Sequence, residues 1–230
     1  ANLIQVPQRS IQSVSAGVLS RAWKDKNMPE IKRIYQRSCI NLLLIALFIF
    51  GNIWLNIQPA LEAFHIQKTY ESGLAVVFIL GMVRIIDAGT GLNNIVIGTS
   101  TYWRFDFLSG VVLLAFRLPL TYYLIKNYGI IGSAFAELTA FALYNLIRFE
   151  FLRRKFGMQP FNQNNLKALL LGIISFGLVW VLIGQFSGWL GIILRSVIFS
   201  GLMILGTIQG KLTPDAAQLI VQFKNKWGIQ

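Results

Sequence analysis

Apolar stretches of membrane-crossing length recur along the chain, separated by short polar segments. A bilayer core of about 30 Å needs about 20 helical residues to cross it. On that measure the pattern predicts seven crossings, at about 1–22, 38–57, 72–98, 107–125, 129–149, 166–185 and 190–208. The connections carry turn signals: Asn127, Tyr128 and Gly129 in one, Ser187, Gly188 and Trp189 in another. The first stretch is the most polar, because Gln5, Pro7, Gln8, Arg9, Gln12 and Ser13 are expensive against lipid and require protein or water along one side. The third is unusually long and ends in the polar run Asp87 to Asn94, so its inner half is expected to line a cavity. Pro59, Leu61, Glu62, Phe64 and Ile66 fit a short surface helix within 59–71. Past the last stretch, Thr213, Pro214 and Asp215 supply an N-cap, an N1 proline and a first-turn acid. Ala216, Leu219, Ile220, Phe223 and Trp227 then recur at helical spacing, which predicts an amphipathic tail over 209–230 lying on the inner leaflet. The expected fold is therefore all-α, a polytopic transmembrane bundle: a first helix over 1–22, six spans within 23–208, and the tail.

Charge orients this pattern. Of 21 Lys and Arg residues, 15 fall in every second gap: Arg21, Lys24, Lys26, Lys32, Arg33, Arg37; Arg104; Arg148, Arg153, Arg154, Lys155, Lys167; Lys211, Lys224, Lys226. Only Lys68 and Lys126 fall in the gaps between. By the positive-inside rule the chain starts outside and finishes with its C-terminus in the cytoplasm. Trp23 and Trp103 sit at inner-interface depth and Trp189 at the outer. A content of 55% hydrophobic and 13% charged residues is too apolar for a soluble domain of 230 residues. That removes nucleic acid as the partner of the net charge of +12, which sits in short loops beside anionic headgroups. The single cysteine, Cys39, has no internal partner and reads as a small packing residue. Ala1 begins inside an apolar segment with no basic region ahead of it, so a piece of a longer protein is expected.

Four arginines break the loop pattern: Arg9, Arg84, Arg117 and Arg195. Arg84, Asp87, Gly91 and Asn94 share one face of a continuous helix, where Arg84 and Asp87 can pair. On the fifth span Glu137, Tyr144 and Arg148 share a face, while Gly129, Gly132, Ser133, Ala136 and Ala140 form a close-packing stripe. Arg117 precedes Pro119 near mid-membrane, where proline is expected to kink the helix. Ionisable groups at this depth face partners, water or substrate. One reading is a hydrated cavity in which Arg117 and Arg84 attract an anionic headgroup such as a diphosphate, with Asn94 and Tyr144 in its lining. Asp87 and Glu137 then balance charge or bind a coupling cation. The other reading is structural: Arg84 pairs with Asp87, and Arg117 with Glu137. Arg195, near the outer surface, can snorkel. His65 is read as a surface residue, and Asn93 and Asn94 as contacts to sugar hydroxyls or as interhelical glue.

No HExxH, Walker loop, GxSxG or pair of loop carboxylates occurs, which argues against an enzyme, and no catalytic residue, metal ligand set or cofactor is expected. Transport without a nucleotide motif is the better expectation.

Three stretches resemble one family. Ser20 to Ser38, SRAWKDKNMPEIKRIYQRS, is similar to the inner loop after the eighth span of the multidrug and oligosaccharidyl-lipid flippase superfamily. Leu118 to Phe141, LPLTYYLIKNYGIIGSAFAELTAF, resembles its turn between the eleventh and twelfth spans. Asn145 to Phe161, NLIRFEFLRRKFGMQPF, resembles the basic inner loop that follows in the bacterial polysaccharide flippase branch. In a fourteen-span protein with its N-terminus inside, the eighth span runs outside to inside and seven spans remain counting from it, the number and direction read above. The resemblance implies the C-terminal half of a MATE-like fourteen-helix fold in a bacterial inner membrane. The implied function is translocation of undecaprenyl-diphosphate-linked oligosaccharide for O-antigen or capsule synthesis by alternating access. The implied partners are that lipid-linked oligosaccharide, membrane lipids and the N-terminal half of the same protein. The diphosphate contact falls on Arg117 first and Arg84 second.

Two alternatives stand beside it. A cation-coupled multidrug exporter of the same superfamily needs carboxylates for cationic drugs, whereas four arginines against two acids lie in the spans. An integral-membrane polysaccharide polymerase or ligase needs a long outer loop rich in His, Arg and acids, whereas 58–71 holds only Glu62, His65, Lys68 and Glu71.

Overall fold

The computed structural model describes residues 2–65, 73–186 and 188–215. Over these the chain is all-helical: α1 (Asn2–Lys24), α2 (Met28–Ala63), α3 (Leu74–Gly89), α4 (Asn93–Gly98), α5 (Trp103–Phe156), α6 (Gln163–Ile183) and α7 (Gly188–Gln209). The amphipathic tail beyond Asp215, the outer segment from Ile66 to Ser72, and Ser187 lie outside the described residues.

Local chemistry sets the element ends. Lys26 adopts a left-handed φ of 53° between α1 and α2. Asn27 Oδ1 then accepts the Glu30 backbone N–H at 3.2 Å, satisfying one of the donors a helix start leaves open. α5 stops at Gly157 in the left-handed region, whose N–H donates to Arg153 O while Met158 N–H donates to Leu152 O. α6 starts from a reciprocal box in which Asn162 accepts from Asn165 N–H and the Asn165 side chain accepts from Asn162 N–H.

Two expected elements are redrawn. α2, at 36 residues, runs well beyond the 38–57 stretch at its N-terminal side. Ile31, Tyr35, Ser38, Cys39 and Leu42 are buried while Lys32 and Arg33 are exposed, so the basic segment read as a loop is an amphipathic extension of the helix. It also continues through Pro59 to Ala63, in place of a separate surface helix there. The stretch read as one crossing over 72–98 is two helices, α3 and α4, interrupted at Gly91 with φ +70°. A Cβ at Gly91 would lie 2.4 Å from Cys39 Sγ and 2.8 Å from Ser38 Oγ. The chain therefore needs glycine twice here, for its dihedral and for its closeness to α2.

α5, at 54 residues, is not one rod. Gly129 leaves the helical region at φ 64°, ψ −146°, a conformation essentially reserved for glycine, and the chain folds back on itself. Two ion pairs nest around that point: Arg117 with Glu137, and Arg148 with Asp106. Both require the arms to run antiparallel. Gly132, Ala136 and Ala140 are buried along the second arm, and a Cβ at Gly132 would come within 2.1 Å of Leu124 O, so small side chains set the closeness of the arms. The backbone stays helical through Pro119; the break falls at Gly129 rather than beside the proline.

Residues Ala1–Ala46 and Gln67–Pro160 form one compact unit, Leu47–Ile66 and Phe161–Gln230 a second. In the first, α3 and α4 pack on α5, and α1 packs on α3 and α4. In the second, Leu55, Val179, Ile183, Phe199 and Met203 form the core of α6, α7 and the later half of α2. Phe199 sits over Gly51 and Leu171 over Gly206, positions where a Cβ would meet a ring or methyl at 2.2 and 2.3 Å.

Four described helices, α2, α5, α6 and α7, are long and apolar enough to cross a membrane. Of the most apolar 18-residue stretch of α5, only 6% is buried, so its Leu, Val and Phe side chains face outward, as lipid-facing side chains do. Each arm of α5 on its own exceeds the length a crossing needs. α3, at 16 residues, rises about 24 Å and falls short of a full crossing.

Candidate functional site

The second arm of α5 carries a polar seam. Glu137, Phe141, Asn145 and Arg148 recur at helical spacing and organise three clusters, Glu137 and Phe141 together in the first.

At the top of the seam, Glu137 is shared by two arginines. Arg84 Nη2 donates to Oε1 at 2.9 Å and Arg117 Nη2 to Oε2 at 2.9 Å. Both guanidiniums also lie over Phe141, one turn further on, at 5.4 and 5.8 Å from the ring centroid. The three helical segments α3, first arm and second arm thus converge on one carboxylate, leaving a net charge of +1. Arg84 and Glu137 side chains are 12% and 15% exposed, Arg117 39%, so Arg117 is the member that opens outward. Arg84 Nε is buried without a partner.

One turn lower, Asn145 is the hub. Its Oδ1 accepts from Thr90 Oγ1 at 2.8 Å and Asn93 Nδ2 at 2.9 Å; its Nδ2 donates to Asp87 Oδ1 at 3.3 Å and to Phe141 O at 3.1 Å. Asp87 Oδ2 accepts from Gln8 Nε2 of α1 at 2.9 Å. This network holds the break between α3 and α4, with Ser38 Oγ receiving the Leu92 backbone N–H at 3.3 Å on the other side. Backbone interrupted inside an apolar region is tolerated where other protein groups satisfy it, as Ser38 does for Leu92 N–H and Thr90 Oγ1 does for Asp87 O at 2.8 Å.

Lowest on the seam, the Arg148 guanidinium pairs with Asp106, donates to Ser109 Oγ at 3.4 Å, and sits 3.9 Å above the Tyr144 ring. Arg148 is buried, so a residue counted among the inner basic groups is instead an internal tie between the arms.

The geometry thus sorts five of the six sequence-predicted residues into three places and leaves Asn94 outside them. Arg84, Arg117 and Glu137 are brought together. Asp87 is one turn away, bound to Gln8 and Asn145, so the expected Arg84–Asp87 pair is not formed: α3 turns Arg84 toward Glu137. Tyr144 lies with Arg148 in the lowest cluster. Asn94 joins none of these hydrogen bonds; its Oδ1 is buried without a partner. Asn93, considered beside it for sugar hydroxyls, acts as interhelical glue. Asn145 was missed by sequence reasoning, although its spacing one turn from Phe141 and Arg148 was available to find it.

Arg195 does not snorkel. Buried in the second unit, it donates to Gly191 O at 3.1 Å, to Phe186 O at 2.5 Å between α6 and α7, and to Leu55 O at 3.5 Å, a carbonyl inside α2 whose i+4 residue, Pro59, has no N–H to offer. Also within the second unit, Asn52 and Asn56 of α2 reach Ser200 and Ser196 of α7. Among the described residues, no group of three or more His, Cys, Asp or Glu side chains is placed to hold a metal ion. No family model, curated protein or solved structure matches the chain.

Proposed function

We propose that the chain is the C-terminal half of a bacterial inner-membrane flippase that moves undecaprenyl-diphosphate-linked oligosaccharide between leaflets by alternating access. The seven-span, MATE-like arrangement belongs to this reading, as do the N-terminal half as partner and the cytoplasmic C-terminus. The observation that carries it is the Arg84–Glu137–Arg117 cluster. Two guanidiniums share one carboxylate, and the acid that balances the second charge, Asp87, lies one turn along α3 on neutral partners, within an apolar helical region where ionisable groups are costly unless used. Arg117 engages Glu137 through one of its five donors and is partly open, which leaves it able to take a second anion in the bidentate manner of a phosphate. The break between α3 and α4 adds support, since interrupted helices commonly build substrate sites in transporters. The structural reading of the Arg117–Glu137 pair is not a rival, because Glu137 holds Arg117 in position for such a contact.

A multidrug exporter is the weaker reading, since Glu137 already faces two arginines and is poorly placed to attract a cation. The test is delivery of lipid-linked oligosaccharide to the outer leaflet by the full protein carrying Arg117→Ala. Delivery is expected to fall at least tenfold at normal expression, and undiminished delivery sinks the diphosphate contact.

A further inference from the structure

The end of the α5 hairpin remote from Gly129 holds an open groove of about 570 Å³. Phe105, Leu146, Ile147 and Phe151 wall it, and the Phe105 and Phe151 rings stack at 3.9 Å with planes 13° apart, fixing one wall. Leu146 and Ile147 are 57% and 45% exposed, so the groove opens on the outer face of the hairpin. Its rim is charged. Glu150 takes Arg153 at 2.9 Å and Arg154 at 2.5 Å, while Lys155 Nζ lies 5.0 Å from the Tyr102 ring centroid. Arg154 and Lys155 against Glu150 leave the rim positive, Arg153 adds a further cation on Glu150 beside it, and the Arg154 side chain is 78% exposed.

An apolar slot beneath a cationic rim, on a helix of membrane-crossing length, complements an anionic amphiphile. A free phosphate would use the rim and leave the slot empty. A zwitterionic lipid would bring its own cation against Arg154 and Lys155. We propose that the groove is a specific site for an anionic phospholipid, with its phosphate on Arg154 and Lys155 and an acyl chain against Leu146, Ile147 and Phe151. This narrows a general attraction of basic loops for anionic leaflets to one place. It requires that α5 lie in a membrane and is independent of the transport reading.

The test uses the chain in neutral detergent, titrated with phosphatidylglycerol, phosphatidylcholine or inorganic phosphate and read by native mass spectrometry. Phosphatidylglycerol is expected to be retained in preference to both others. A cation near the surface contributes roughly fivefold in affinity, so Arg154→Gln with Lys155→Gln should weaken retention about 25-fold. Leu146→Trp, at an outward-facing position, narrows the slot while keeping the rim and should weaken retention. Equal retention of phosphatidylcholine, binding of inorganic phosphate as tight as that of the lipid, or full phosphatidylglycerol retention in either variant would overturn the site. Transport defects in Arg117→Ala leave this outcome unaffected, so the two proposals fail separately.

Discussion

Glu137→Gln isolates the electrostatics of the seam. The substitution keeps the size of the side chain and removes its charge, leaving Arg84 and Arg117 close together without their shared counter-ion. Arg84 and Glu137 are 12% and 15% exposed, which puts this half of the cluster in the buried regime, where removal of one partner costs about 3–5 kcal/mol. Arg117, at 39%, keeps access to polar surroundings, so its share falls to about 0–1 kcal/mol. The expected loss is thus about 3–5 kcal/mol, nearly all of it from Arg84. Arg84→Met alone should cost less, about 1–2 kcal/mol, because Glu137 retains Arg117 as a charged partner. The double variant should recover most of the Glu137→Gln loss, since no buried guanidinium is then left unpaired. Unfolding in mixed micelles by titrated denaturing detergent, followed by circular dichroism, measures all three. Glu137→Gln within about 0.5 kcal/mol of the native chain, or a double variant no better than Glu137→Gln, would refute the reasoning.

Gly91→Ala should be severely destabilising, by about 3 kcal/mol or more, because a positive φ and a Cβ 2.4 Å from Cys39 Sγ act together; Gly129→Ala, with open space around its Cβ, should lose only the dihedral cost of about 1–3 kcal/mol. The same micelle unfolding ranks them, and equal losses would contradict the close approach at Gly91. Asn145→Leu should cost about 1–3 kcal/mol, because Asn93 loses its acceptor while Asp87 keeps Gln8 and Thr90 keeps Asp87 O, and protease accessibility should rise at the break between α3 and α4; an unchanged cleavage pattern would count against the hub. Arg195→Met should lose about 3 kcal/mol through the carbonyls it leaves open, whereas a snorkelling arginine would lose almost nothing, and the unfolding midpoint separates the two.

The helical plan was legible because apolar length and turn residues are one-dimensional signals. Gly129 breaks α5 in the turn marked by Asn127 and Tyr128, and the small residues Gly132, Ala136 and Ala140 lie on the packed side of the arm. Gln8 shows the same economy: a polar residue too expensive for lipid is bound to Asp87. What stayed hidden depends on partners distant in sequence. Arg84 and Asp87 are neighbours on one helix, yet the fold-back of α5 presents Glu137 to Arg84 and Asn145 to Asp87, and no local spacing encodes that choice. Gly91 was read as one more residue on a helical face, since its positive φ follows from how closely Ser38 and Cys39 approach. Arg148 was counted with the inner basic groups and on a face with Glu137 and Tyr144, and Arg195 was placed by its depth; their burial follows from Asp106 and from the open carbonyls of Phe186 and Leu55, which hydropathy does not register.

We propose that the Arg84–Glu137–Arg117 cluster attracts a diphosphate carried on a lipid. Direct binding of a short-chain polyprenyl diphosphate to the purified full protein in neutral detergent, with polyprenyl alcohol as the uncharged control, tests it without any transport step. The native cluster is expected to bind the diphosphate in preference to the alcohol, and Arg117→Ala to weaken that binding about tenfold or more, in line with the loss of one charge-assisted contact worth about 1.5–3 kcal/mol. Equal binding of diphosphate and alcohol, or an Arg117→Ala protein that binds as tightly as the native one, would contradict it.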